Sequence, residues 1–214
     1  MKKLIITFIF MIFGLILSAN ADTMPVSSAS IQHNAIGMYQ VPKHVVIYEK
    51  ADTKSKVVYE ANWDYEKFKA TSGTDYSFFS VFIPKKELGF IQVVDFTEDW
   101  INVVYNKERH LTGWIQAEEL RFMMWRNFYG TYGRKYGLFI FDDKKDIAKE
   151  LHSGTTEESQ VVDSITAQVS KIKLTAIKGN WALVTVLDVN KSAKTGYIRW
   201  RTDDGELQLF PDIK

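Results

Sequence analysis

The chain has 214 residues, with 27 lysines and arginines against 26 aspartates and glutamates, and it contains no cysteine. A formal net charge of +1 excludes a protein that binds nucleic acid through its overall charge. The lack of cysteine excludes disulfides, thiol catalysis and a lipid anchor on a cysteine.

Residues 1–21 have the pattern of a secretory signal peptide. Lys2 and Lys3 precede an apolar run over residues 4–17, and Ala19 and Ala21 supply the small residues of a cleavage site. The apolar run is shorter than the roughly 20 residues that span a bilayer, although an uncleaved anchor remains the alternative. We therefore expect a periplasmic or secreted protein that has no membrane contact after cleavage. Residues 22–40 are mostly small and polar, which indicates a flexible leader.

A first β-rich unit is predicted over residues 41–120. Short apolar runs begin at Val45, Val57 and Phe90, and another strand begins at Trp100. The charged stretch 106–110 predicts a hairpin turn, after which Gly113-Trp114-Ile115 closes the unit.

This unit contains an aromatic insert over residues 62–87. Such a long aromatic loop either packs against its own domain or binds a ligand. The insert supplies three candidate ligand-binding residues: Trp63, Tyr76 and Phe78.

The connector 121–137 carries a formal charge of +4 and is rich in aromatic residues. Cations interleaved with rings suit an anionic or sugar-containing polymer. The alternative is a hinge whose rings pack the two units together. The connector supplies five further candidate ligand-binding residues: Arg121, Trp125, Arg126, Tyr132 and Arg134.

Residues 138–214 repeat the order of the first unit. Trp181 corresponds to Trp100, and Gly196-Tyr197-Ile198 corresponds to Gly113-Trp114-Ile115. A gap-free alignment of the openings places Val45 on Leu138. This duplication predicts two small β domains in tandem.

The shared order of strand, polar loop, strand, Trp and Gly-aromatic-Ile resembles the bacterial SH3-like (SH3b) domain family. Gly113-Trp114-Ile115 followed by Leu120 is similar to the family's closing motif, and Gly196-Tyr197-Ile198 is a copy with Tyr in place of Trp. The resemblance implies an all-β fold: two tandem small SH3-like β-barrels joined by a short aromatic and basic connector.

The sequence contains no recognisable catalytic or metal-binding motif. The four histidines, His33, His44, His110 and His152, are scattered without His-Glu-x-x-His spacing, so we expect them to be exposed or at a rim. No Gly-x-Ser-x-Gly elbow occurs. We therefore expect no enzyme activity, no catalytic or metal-ligating residue and no cofactor.

Together these features favour a non-catalytic exported binding protein. The resemblance implies recognition of cell-wall components, either a peptide or a glycan. The alternative is a periplasmic adaptor or inhibitor that binds an envelope protein through the insert and the connector. Export makes nucleic acid a poor partner, and the sequence does not determine the oligomeric state.

Overall fold

The computed structural model describes residues 26–63, 77–118, 121–144, 150–165, 169–188 and 192–213. These residues form two β-sheets joined by short helical pieces, which confirms the expected all-β class. The first sheet contains β1 Gly37–Gln40, β2 His44–Tyr48, β3 Val57–Asn62, β4 Val81–Ile83, β5 Leu88–Phe96, β6 Trp100–Asn106, β7 Leu111–Gln116 and β8 Phe122–Met124. The second contains β9 Leu138–Ile140, β10 Glu150–His152, β11 Val161–Ser164, β12 Val169–Lys178, β13 Trp181–Asp188, β14 Ala193–Arg199 and β15 Leu209–Pro211.

The helical pieces are short. Single 3-10 turns occupy Ser28–Ser30, Pro84–Lys86 and Asp142–Lys144. Between the sheets lies the helical segment 125–136, which is α-helical over Trp125–Phe128, π-helical over Tyr129–Gly133 and α-helical again over Arg134–Tyr136. Within the part of the chain that the structure describes, no helix is long and apolar enough to cross a membrane.

The two sheets have the same strand order. The first runs β3-β2-β7-β6-β5-β1-β8, with β4 added beside β5, and the second runs β11-β10-β14-β13-β12-β9-β15. Counted from the first strand of each sheet, and leaving β4 aside, the two orders are identical. Among the described strands neither sheet closes on itself, so the expected closed barrels are not found: β3 and β8 are the edges of one sheet, and β11 and β15 are the edges of the other.

The strand register makes individual residues equivalent. Trp100 lies opposite Gln116, and Trp181 lies opposite Arg199. In the same hairpins Gly113 lies opposite Val103, and Gly196 lies opposite Val184. Trp100 and Trp181 therefore hold equivalent positions, as do Gly113 and Gly196, and both correspondences agree with the sequence alignment.

Irregularities in the ladders also recur at equivalent places. The β2–β3 register shifts at Ile47/Tyr48, and the β10–β11 register shifts at Leu151/His152. The β5–β6 register shifts between residues 93 and 95, and the β12–β13 register shifts between residues 174 and 176. Each sheet also has one shift that the other lacks, between residues 104 and 106 in β6–β7 and between residues 169 and 171 in β12–β13, so the two sheets share two bulges and differ at a third.

The openings of the two units align differently from the gap-free expectation. Val45 lies in β2, which pairs with β3 and β7, whereas Leu138 lies in β9 between β12 and β15. The counterpart of β9 is β1, and that of β2 is β10. The alignment of Val45 with Leu138 is thus wrong, because short apolar runs share one periodicity whatever their neighbours.

Part of the expected leader belongs to the first sheet. Residues 37–40 of the leader 22–40 form β1, which lies between β5 and β8. Met38 and Tyr39 are fully buried there. A four-residue strand without alternating polarity carries little periodic signal. The sequence pattern therefore did not identify residues 37–40 as a strand of the sheet.

The helical segment packs the two sheets together. Phe128 contacts Phe90 of the first sheet, with ring centroids 5.3 Å apart, and Tyr129 contacts Trp200, which directly follows β14 of the second sheet, at 4.5 Å. These rings belong to one core cluster that draws on both sheets, whereas a second cluster lies within the first sheet. The connector rings therefore pack the two units together, as the alternative interpretation of the connector as a hinge predicted.

Candidate functional site

The ring-bearing candidates from the insert and connector are mostly interior. Trp63, Phe78 and Trp125 are all buried. Trp63 and Phe78 stack with centroids 5.4 Å apart, and the Trp125 indole donates a hydrogen bond to the Ala35 carbonyl at 2.6 Å. A ligand at the surface has no access to these rings. Tyr76 and half of the insert lie outside the described residues.

The remaining connector candidates lie on the surface without forming a defined site. Arg121 is paired with Glu118. Arg126 and Arg134 are exposed near opposite ends of the helical segment, and Tyr132 is half-buried against Phe90. Tertiary packing therefore uses the aromatic part of the connector and leaves its charges in solvent.

An open pocket of about 520 Å³ lies at one end of the second sheet. The ends of β10 and β14, the start of β13 and the turn after β14 form its walls. Antiparallel pairing positions the site, because it places Trp181 opposite Arg199 and His152 opposite Tyr197. Its lining residues are Glu150, His152, Glu157, Trp181, Ile198, Arg199, Thr202, Asp203, Asp204 and Gln208.

The inner wall of the pocket is an aromatic pair. The His152 and Trp181 rings meet edge to face with centroids 5.1 Å apart. His152 Nδ1 lies 3.1 Å from the Ser159 carbonyl oxygen, which only accepts, so Nδ1 carries a proton. His152 is buried, unlike the exposed or rim position expected from the sequence. Its second nitrogen lies 3.6 Å from the Glu150 carboxylate.

Arg199 covers the indole of Trp181. Its guanidinium carbon lies 5.8 Å from the ring centroid, and Trp181 is only 7% exposed. The guanidinium is held by Asp203 at 2.6 Å and by a short contact with Glu157. The hydrogen bonds that Arg199 donates to these carboxylates, that to Asp203 first, raise the pKa of Arg199 above its usual value. Trp181 is therefore a covered wall rather than an open stacking surface.

The rim of the pocket is acidic. The hydrogen bond from Arg199, followed by one from Asn180 at 2.9 Å, lowers the pKa of Asp203. A hydrogen bond from the Thr202 hydroxyl is the main cause of the lowered pKa of Asp204. The lining contains four carboxylates and one guanidinium, which is a formal net charge of −3 from these five groups. Asp203 and Glu150 are exposed, with side chains 84% and 60% accessible, so the rim can meet a cationic group from solvent.

Sequence reasoning identified parts of this site for other reasons. The repeat paired Trp181 with Trp100, but nothing in the sequence connected Trp181 with the carboxylates of the pocket. The acidic partner Glu157 lies 42 residues before Arg199. No local pattern connects residues that far apart, although Arg199 and Asp203 show the spacing of a short-range ion pair. Among the described residues, no group of three or more His, Asp or Glu side chains could hold a metal ion.

The equivalent position on the first sheet has different chemistry. Tyr48 and Trp100 form an edge-to-face pair with centroids 5.7 Å apart, in the place of His152 and Trp181. Trp114 and Gln116 stand in the places of Tyr197 and Arg199. This position therefore lacks the guanidinium that covers the second tryptophan.

Comparison of the chain with protein-family models and with curated proteins gives no match. Function is accordingly inferred from the strand order and from the chemistry of these two equivalent positions.

Proposed function

We propose that this protein is an exported, non-catalytic binding protein made of two tandem SH3-like units, and that its second unit binds a cell-wall peptide through a free amino group. The shared strand order, the shared bulges and the equivalent glycines support a tandem repeat. The pattern of residues 1–21 supports export to the periplasm or the medium.

The acidic pocket is the observation that carries the proposed ligand chemistry. Four carboxylates around one paired guanidinium attract a cation, and the lowered pKa values of Asp203 and Asp204 keep these groups ionised well below neutral pH. Cell-wall peptides present free amino groups. An ammonium at the rim would meet Glu150 and Asp204 while Arg199 stays held by its own partners.

The same geometry favours a peptide over a glycan at this pocket. A sugar ring binds by stacking on an open aromatic face, and the face of Trp181 is covered by Arg199. Charged groups dominate the lining, which suits a charged ligand better than a neutral sugar.

The adaptor alternative has less support among the described residues. It relied on exposed rings in the insert 62–87 and the connector, and Trp63, Phe78 and Trp125 are buried. Co-purification of one envelope protein in a fixed ratio, with no retention on cell wall, would favour the adaptor over our proposal.

Binding to purified sacculi and to isolated stem peptides tests the proposal. We expect retention on sacculi and calorimetric binding of stem peptides whose amino group is free. The double variant Glu150→Gln/Asp204→Asn leaves both partners of Arg199 in place and should weaken peptide binding roughly tenfold, since exposed charge pairs contribute about 0.2–1 kcal/mol each. Glu60→Gln is the matched control, because Glu60 is an exposed carboxylate paired with His44 at 3.1 Å in the first sheet.

Two results would overturn the proposal. One is equal binding of stem peptides whose amino group has been acetylated. The other is retention on sacculi no greater than that of an unrelated protein of similar charge.

A further inference from the structure

One face of the first sheet combines three aromatic rings with two amides. Tyr48 and Asn102 both lie opposite Trp114, and Trp100 lies opposite Gln116. Cross-strand partners point to the same side, and Trp100 and Asn102 are two residues apart in β6, so all five side chains share one side. We call this set, Tyr48, Trp100, Asn102, Trp114 and Gln116, the aromatic face.

The opposite side of the same strands belongs to the interior. Ile47, Ile101 and Ile115 are buried in the core of the first sheet. The core therefore does not require the rings of the aromatic face. Tyr48, Trp100 and Trp114 are each partly exposed, and Gln116 is exposed.

The comparison with the second sheet shows why these rings are open. Arg199 covers Trp181, and its counterpart beside Trp100 is the uncharged Gln116. The edge-to-face contact with Tyr48, at an interplanar angle of 87°, fixes the orientation of the Trp100 ring. The Trp100 ring is thus fixed in orientation, partly exposed and without a cation over it, which suits it to stacking.

We propose that the aromatic face is a second ligand site and that it binds a neutral sugar ring. The carbon-bound hydrogens of a pyranose pack on an aromatic face, and its hydroxyls pair with side-chain amides, which both donate and accept. Asn102 lies between the rings, and its Oδ1 is covered and has no hydrogen-bond partner among the described residues. A sugar hydroxyl would reach this acceptor once a neighbouring ring shifts aside, and the acceptor's unmet hydrogen bond favours that shift.

The composition of the aromatic face argues against a protein partner. A stable protein interface needs roughly 800 Å² from each partner, which is far more than five side chains provide. The same patch matches one or two sugar rings. None of the five side chains is charged, so an ionic ligand gains nothing there, in contrast to the acidic pocket.

Calorimetric titration with triacetylchitotriose, with maltotriose as a second neutral sugar, tests the site in the full exported protein. We expect at least one of these sugars to bind and Trp100→Ala to weaken binding tenfold or more, as aromatic stacking contributes about 1–3 kcal/mol per ring. Phe96→Ala is the matched control. Its ring is 45% exposed, yet Phe96 pairs with Ile101 on the other side of the sheet, so sugar affinity should stay within about twofold.

A second variant covers the possibility that Trp100→Ala disturbs folding. Gln116→Arg introduces the cation that covers Trp181 in the other sheet, and it retains all three rings. We expect Gln116→Arg to weaken sugar binding at least fivefold with an unchanged circular dichroism spectrum.

Binding of neither sugar, or equal affinity in the wild type and both variants, would overturn the proposed sugar site. This outcome is separable from failure of the peptide proposal, because amine-bearing peptides are titrated independently and their pocket lies on the other sheet.

Discussion

The closing glycine of the first unit offers a direct test of how the strands pack. A Cβ atom added at Gly113 would lie 2.6 Å from Ile47 Cγ2 and 2.9 Å from the Tyr48 carbonyl oxygen. Both distances are shorter than any relaxed contact of a Cβ atom. The Ile47 side chain is fully buried and cannot turn aside, and the carbonyl moves only if β2 moves.

Gly113→Ala should therefore destabilise the protein through overpacking. Forcing an extra methyl group into a filled core costs typically 1–3 kcal/mol, and contact with backbone puts this site near the upper end, at about 2–3 kcal/mol. Gly196→Ala should cost less, about 1–2 kcal/mol, because the nearest atoms, Leu151 Cβ and the His152 carbonyl oxygen, would lie 2.9 and 3.1 Å away. For a chain of this size, 2–3 kcal/mol corresponds to a fall in Tm of roughly 4–12 °C.

Urea unfolding followed by both circular dichroism and tryptophan fluorescence measures these differences and checks for a single transition. Gly130→Ala is the matched control: nothing lies within 4 Å of the added Cβ, and its helical position predicts a gain of about 0.5–1 kcal/mol. A Gly113→Ala protein within 0.5 kcal/mol of the wild type would refute the packing argument.

Three further outcomes are expected. Trp125→Phe should lower the free energy of unfolding by about 0.5–1.5 kcal/mol in the same urea assay, because the Ala35 carbonyl loses its shorter, buried indole donor and keeps only the Arg201 guanidinium at 3.3 Å; no change would contradict this. Arg201→Ala should speed amide hydrogen exchange in residues 26–36 at least tenfold, since its guanidinium donates to carbonyls of that segment at 3.0 and 3.3 Å, while β13 and β14 keep their protection. The pKa of Asp203 is lower in the folded protein than its unfolded-state value of about 3.9. The contribution of Asp203 to stability should therefore be present above the unfolded-state pKa and be lost as the pH falls through the folded-state pKa. Peptide affinity should fall over the same pH range. Affinity that stays constant as the pH falls through the folded-state pKa values of Asp203 and Asp204 would exclude recognition by these carboxylates.

The hairpin features were accessible from sequence because they are local. Trp100 and Gly113 lie in adjacent strands joined by a short charged turn, and so do Trp181 and Gly196. Alternating polarity and turn residues identify such a pair without knowledge of distant parts of the chain. The equivalence of the two hairpins was therefore predictable residue by residue.

The opening strands were not predictable in the same way. β1 and β9 are short apolar runs whose neighbours, β5 and β12, are distant in the chain. A gap-free alignment accordingly paired β2 with β9, because composition alone does not distinguish one short strand from another. For the same reason residues 37–40 were expected in the leader.

The exposure of the aromatic rings was also not predictable from the sequence. Trp63 and Trp125 have the composition of a binding surface, yet packing buries both. Trp100 and Trp181 occupy equivalent positions, yet only Trp181 is covered by an arginine. Whether a tryptophan is core or surface depends on which side chains reach it from other strands.

The sequence by itself determined the β class and the matching hairpins of this protein, since period-two patterns and turn residues act over a few positions. The tertiary structure alone decided the strand order, the burial of Trp63, Phe78 and Trp125, and the meeting of Glu157, Arg199 and Trp181 in one pocket. Those contacts join residues dozens of positions apart, and only the pairing of strands brings such residues within reach of one another.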